Sequence, residues 1–237
     1  MADKSVFQRH ELKFILSKQQ KEVILQAIQP YMSLDQYGRT TICNIYFDTE
    51  NYRLIRRSIE KPDYKEKLRV RKYINANTQD KVFVEIKKKY DKVVYKRRLS
   101  MTEAAAMQWL TGEEPCEIDS QIAREIDYFL AYYKTLKPAL FLSYEREAYY
   151  CKQGSDFRVT FDENVLCREE QMNFNAGVAG KAVLEEDKVL MEIKCSGGIP
   201  LWMTEILSRE KIYKTSFSKY GTAYRNIIYP KWKGEKR

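Results

Sequence analysis

Alternation with a period of two runs through most of this chain. In 9-RHELKFIL-16 the charged Arg9, Glu11 and Lys13 lie two residues apart, separated by His10, Leu12 and Phe14. A strand places those two sets on opposite faces. The same pattern returns over 40–48, 64–73, 82–90, 93–100, 139–150, 156–169 and 187–195, so strands are predicted there and over 7–16. Between them the period lengthens to that of a helix. Ser17 and Gln20 have capping-box spacing, and Val23, Ile24, Ala27 and Ile28 then form one stripe. Further helices are predicted over 50–60, from Ser100 and Glu103 to Gly112, over 118–136 before Pro138, over 200–212 and over 217–229. Segment 170–186 reads as a loop. No Gly/Ser linker and no long repeat divides the chain, so residues 1–237 are expected to form a single domain.

The polar face of these strands is strongly biased in sign. In 64–73 it carries Lys65, Lys67, Arg69 and Arg71, against Leu68 and Val70 on the other face. In 82–90 it carries Glu85, Lys87 and Lys89, and in 93–100 Lys96 and Arg98. Later strands add Arg146, Arg158, and Glu192 with Lys194. An open antiparallel sheet with one solvated face gives the same alternation. A solvated face normally mixes signs, however, whereas here the carboxylates Glu11, Glu85 and Glu192 come singly among many cations. Like charges on neighbouring strands repel unless an anion sits between them. A closed antiparallel β-barrel, charged inside and covered outside by the amphipathic helices, satisfies both faces and removes the sheet edges. The expected class is therefore α+β, with a lumen that holds water, counter-ions or phosphate.

Composition narrows the partners. The net charge is +9, which favours an anionic ligand. The five cysteines form no CxxC pair and there is one histidine, a poor basis for structural zinc or a disulfide framework. No run approaches the roughly 18 apolar residues of a membrane span, and the amino terminus lacks a signal-peptide core, so a cytoplasmic location is expected. The cations alternate with core residues and are not interleaved with exposed aromatics, so no nucleic-acid partner is expected. His10 falls on the apolar side of its strand and reads as structural. Trp109, Tyr128, Tyr132, Trp202 and Tyr213 lie on helical stripes and read as core. Asp48 reads either as a strand-end cap or as a group near a metal.

The ordered set RHELK, KLRVR, VFVEIK, VVYKRR, YEREAYY, FRVTFD, LMEIK and FSKYG resembles the catalytic domain of the vacuolar transporter chaperone proteins, over about residues 7–224. These are polyphosphate polymerases of the triphosphate tunnel metalloenzyme superfamily. The resemblance implies an eight-stranded antiparallel tunnel that binds ATP and Mg²⁺ or Mn²⁺ and passes a growing polyphosphate chain through its lumen. It implies that Arg69, Arg71, Arg146 and Arg158 clamp nucleotide phosphates, and that Lys13, Lys87, Lys96, Lys219 and Arg146 act at the transferring phosphoryl group. Arg9, Lys67, Lys89, Arg98 and Lys194 join them as phosphate-binding cations. Glu192 would be the metal ligand, with Glu11 a possible second acidic group, and Tyr46 or Tyr73 would meet the base at the mouth.

Hydrolases and cyclases of the superfamily begin with ExExK, whereas here Arg9 replaces the first glutamate. Losing a carboxylate disfavours a two-metal hydrolytic site. The eukaryotic relatives carry an SPX domain and transmembrane helices that this sequence does not show, so a membrane-protein partner encoded separately is an expectation. The other readings are a triphosphatase or other triphosphate-processing tunnel enzyme, and a non-catalytic module that binds polyphosphate or nucleic acid.

Overall fold

The computed structural model describes residues 10–74, 81–91 and 93–235. In chain order the elements are β1 (His10–Ser17), α1 (Lys18–Ile28), β2 (Met32–Leu34), β3 (Thr40–Asp48), α2 (Arg53–Ile59), β4 (Tyr64–Ile74), β5 (Lys81–Tyr90) and β6 (Val93–Thr102). There follow α3 (Glu103–Thr111), α4 (Gln121–Tyr133), β7 (Lys137–Cys151), β8 (Arg158–Arg168), β9 (Lys181–Ala182), β10 (Lys188–Cys195), α5 (Leu201–Arg209) and β11 (Lys214–Thr215). The chain ends in α6 (Lys219–Ala223), a π-helical turn (Tyr224–Ile228) and α7 (Tyr229–Glu235).

The strands form one antiparallel sheet in the order β11-β1-β10-β8-β7-β3-β4-β5-β6, with β2 beside β7 and β9 beside β8. The expected closed eight-stranded barrel is corrected on two points. The sheet has 11 strands, because β2, β9 and β11 are too short to leave an alternation in the sequence. It is also not closed by backbone bonds: the free edge of β1 is taken by β11, through Lys13↔Thr215 and Phe14↔Lys214, so β6 has no edge there to pair with. The two margins meet instead through side chains, where Lys87 Nζ of β5 lies 3.8 Å from Glu11 of β1.

Two apolar cores cover the outer face. Leu68, Val70, Val84 and Ile86 pack with Trp109, Ile126 and Phe129 of α3 and α4, while Phe14, Leu16, Phe161, Val189 and Met191 pack with Ile24, Ile28 and Met203 of α1 and α5. Full burial of one such side chain is worth about 1.5–3 kcal/mol. A third core lies on the inner face, where Ile42, Tyr46, Leu140, Leu142 and Tyr144 meet Tyr220, Ala223, Tyr224 and Ile228. One end of the inner face is thus filled by the C-terminal helices.

Local signals explain most boundaries. The Ser17–Gln20 capping box forms with both bonds, at 3.1 and 3.0 Å. Gly112 closes α3 at φ 82°, a left-handed conformation that glycine adopts without a Cβ clash. Thr102, not Ser100, caps α3, because β6 runs further than its alternation suggests. Asp48 proves to be a cap: its carboxylate accepts from the backbone N–H groups of Thr49, Leu54 and Ile55 at 2.8–3.0 Å and from the Tyr220 hydroxyl at 3.0 Å. The 170–186 loop contains β9, and Arg168 pins it by donating to the carbonyls of Glu170, Gln171, Asn173, Gly177 and Ala179.

Other expectations are corrected. His10 is exposed because its strand begins there. Tyr128, Tyr132 and Tyr213 are exposed, the first two stacked on each other along the outer side of α4, whereas Trp109 is in the core as expected and Trp202 packs against the second core and stacks on Tyr31. Among the described residues no helix is long and apolar enough to cross a membrane.

Candidate functional site

Strand register builds one wall of the site from β4, β5 and β6. Lys67, Lys87 and Lys96 form one row across these strands, and Arg69, Glu85 and Arg98 form the next. Glu85 is 1% exposed. Arg69 donates to it from Nε and Nη2 at 2.9 and 2.7 Å, the Lys96 ammonium lies at 2.6 Å and Arg71 Nε at 3.9 Å. Burial opposes its charge, but Arg69, Arg71 and Lys96 hold it well below the usual carboxylate range. Arg71 donates to Asn44 Oδ1 at 3.0 Å and to the hydroxyls of Tyr73 and Tyr144 at 3.3 Å.

The lysines of this wall have less counter-charge than its arginines. Among the described residues Lys67 forms no ion pair with a carboxylate and reaches the Ser218 hydroxyl, at 3.4 Å. Burial, with the charges of Lys87, Lys13 and Lys65, pushes its pKa down to about 8 against an opposing pull from Tyr46. Burial and the two arginines likewise bring Lys96 down to about 8 despite Glu85. Burial would raise the Tyr46 phenol, but Arg69, Lys67 and Arg71 bring it to about 8.

The second wall comes from β1, β10, β8 and β7. Here Lys13 is opposite Glu192, Glu11 opposite Lys194, and Arg146 opposite Asp162. The Lys13 ammonium lies between Glu11 and Glu192, at 3.3 and 3.2 Å. Glu192 is also within 3.4 Å of Lys194, 3.5 Å of Arg146 and 3.6 Å of Lys219. Asp162 is fully buried, accepts two bonds from Arg146 at 2.6 Å, and has Lys219 at 2.5 Å. Burial opposes ionisation of these carboxylates, but the cations win: Lys87 and Lys13 bring Glu11 to about 2, and Glu192 and Asp162 are also lowered. Burial works against the Lys13 ammonium too, but Glu192 and Glu11 raise it above the ordinary lysine range. Lys219 enters at the start of α6, capped by Ser218. The Tyr144 ring ties the walls together, with Arg146 and Lys219 over its face at 5.2 and 4.4 Å while its hydroxyl accepts from Arg71.

Lys13, Lys67, Arg69, Arg71, Lys87, Lys96, Arg146, Lys194, Lys219, Glu11 and Glu192 therefore share one inner face. Others sit apart. Lys89 is one row further out, opposite Lys65. Arg98 lies over the Phe83 ring at 5.0 Å, and Arg158 is half exposed and pairs with Asp35 at 3.5 Å. Arg9 lies outside the described residues. Tyr46 is not at a mouth: it is buried against Tyr220, and Tyr73 packs edge-on to Phe83. The sequence reading missed Asp162, Tyr144 and Asn44. Each is in phase with a residue on the charged face, Asp162 with Arg158 and Tyr144 with Arg146, so the alternation does contain them.

The fold and site define an α+β protein built around a cation-rich inner sheet face. The chain belongs to the VTC domain family, whose model matches residues 8–228. No curated protein sequence matches it. A candidate adenylate cyclase from Bacillus halodurans is similar in structure, at 14% identity and TM-score 0.56, over 90% of this chain and 95% of that one. A candidate adenylate cyclase from Vibrio parahaemolyticus is 8% identical with TM-score 0.49, over 90% and 96% of the two chains. A candidate adenylyl cyclase from Hippeastrum, described as having a dominant triphosphatase activity, is 16% identical with TM-score 0.49, over 91% and 94%. The Bacillus protein shares the fold.

The expected metal can be tested against the donors present. Among the described residues no three His, Cys, Asp or Glu side chains group so as to hold an ion. Glu11 and Glu192 are not a ligand pair here, because the Lys13 ammonium occupies the space between them. Mg²⁺ and Mn²⁺ require several hard oxygens. The residues therefore do not fit a protein-only cage; a divalent ion at Glu192 would have to draw most of its oxygen ligands from elsewhere.

Proposed function

We propose that this protein is an ATP-dependent polyphosphate polymerase. The observation that carries this reading is the Lys67–Lys87–Lys96 row, three lysines side by side in strand register with Arg69 and Arg71 next to them and, among the described residues of that wall's inner face, Glu85 as the carboxylate. Like charges set opposite one another are destabilising, an anion with several charges would relieve that cost, and membership of the VTC domain family points the same way.

The terminal phosphate oxygen of a polyphosphate chain attacks the γ-phosphorus of ATP. The bond from that phosphorus to the β,γ-bridging oxygen breaks, and ADP leaves with the electron pair. The attacking oxygen is already ionised, so no general base is required. Arg69, Arg71 and Arg146 offer fixed forks of donors to the nucleotide phosphates. Lys13, Lys67, Lys87, Lys96 and Lys219 neutralise the transferring group and the acceptor end, which is most of what phosphoryl transfer asks of a protein. A divalent ion bound with the nucleotide would add further neutralisation of phosphate charge. Incubation with ATP and Mn²⁺ or Mg²⁺, with the phosphate products sized on a gel, should give long chains and one ADP per phosphate added. Orthophosphate as the sole phosphate product would refute polymerisation and favour a triphosphatase.

A further inference from the structure

The lysines continue past the inner row. One step along the same face Lys65 of β4 stands directly opposite Lys89 of β5, and Lys61 follows in the loop between α2 and β4. Among the described residues none of the three forms an ion pair with a carboxylate; the Lys65 ammonium donates only to the Ser58 carbonyl, at 3.4 Å. Burial and the charges of Lys89, Lys61 and Lys87 all depress the Lys65 pKa. Carboxylates are present at this rim, but Glu60, Asp63 and Asp91 are all exposed and none pairs with these lysines. Like charges set opposite each other cost free energy unless an anion joins them.

The rest of the inner face offers a charged chain no comparable route. Across the trough the C-terminal helices fill the space with Tyr220, Ala223 and Tyr224 against Tyr46, Leu140 and Leu142. At the opposite end the cations are already engaged, Arg98 over Phe83 and Arg158 with Asp35.

We propose that Lys61, Lys65 and Lys89 form an outer subsite for a linear phosphate chain, the route by which a long polyanion runs between the inner lysine row and solvent. Two residues of strand carry this subsite about 7 Å beyond that row. The inference rests on the proposed function in that it takes the same ligand class, but its test is a binding measurement without ATP.

Affinity for tripolyphosphate and for a long polyphosphate of defined length is measured on the full chain. The Lys61→Gln/Lys65→Gln variant should lose about tenfold in affinity for the long chain while its tripolyphosphate affinity stays unchanged. The long chain's dependence on salt should also become shallower. Lys61→Glu alone, on an exposed loop, carries the same expectation and keeps the test open should the double variant fail to fold. Equal losses for both ligands, or no loss for either, would overturn the subsite. A protein that binds as expected but releases only orthophosphate from ATP would refute the polymerase and leave the subsite standing.

Discussion

The two walls of the inner face hold charge differently. On β4–β5–β6, Lys67, Arg69, Arg71, Lys87 and Lys96 share a face with Glu85, which pairs with Arg69, Arg71 and Lys96, while Lys87 lies 3.8 Å from Glu11 of the other wall. On β1–β10–β8–β7 with α6, Lys13, Lys194, Arg146 and Lys219 are matched by Glu11, Glu192 and Asp162. The second wall is nearly neutral, so removing a fully buried member such as Asp162 leaves buried cations undercompensated. The first carries surplus positive charge, so removing Lys67, which pairs with no carboxylate among the described residues, relieves repulsion. One wall is close to charge-balanced, while the other carries uncompensated positive charge.

The largest expected effect tests the balanced wall. Asp162→Ala leaves Arg146 and Lys219 buried with the more distant Glu192 as their shared counter-charge and should cost about 3 kcal/mol, read by chemical denaturation. A loss below about 1 kcal/mol would erase the contrast. The surplus wall should answer with the opposite sign. Lys67→Met should stabilise the ligand-free protein by about 1 kcal/mol, by removing a poorly compensated ammonium, while weakening tripolyphosphate at least tenfold. Destabilisation on that substitution would mean the row is not under strain.

The smallest effect is a pH dependence. Lys67 and Lys96, at about 8 in the folded protein, lie below the roughly 10.4 of an unfolded chain. Between those values the unfolded chain holds more protons, so stability rises with pH. Tyr46, brought to about 8 from an ordinary value near 10, acts in the same direction. The Cys43 and Cys167 thiols, pushed up to about 11 by burial, act against it above about pH 9. The melting temperature of the ligand-free protein should therefore rise by about 2 °C from about pH 7.5 to about pH 9. Saturating tripolyphosphate should flatten that rise, and a ligand-free profile that is already flat would remove the pH evidence for strain.

The strands were legible wherever one face is apolar and the other charged, as in β4, β5 and β10, because burial on a single face leaves a period of two. Convergence of their cations was legible for the same reason. Closure was misread, since alternation shows which residues share a face but not which edge a three-residue strand will occupy. The filled end of the inner face was also hidden. β3 is buried almost throughout, so Ile42 and Tyr46 look no different from Ile45 and Phe47, which face the outer core. Asp162 was passed over beside Arg158, though the two share a face and Asp162 is the better buried.

The filled end also bears on how the protein comes to be folded. Tyr220, which completes the partners of Asp48, and Lys219, which completes those of Asp162, are both translated after all eleven strands. A nascent chain that has already curled its sheet still presents a bare apolar surface at Tyr46, Leu140 and Leu142, and such surface invites association with other incomplete chains. The interior is sealed only when α6 leaves the ribosome and docks.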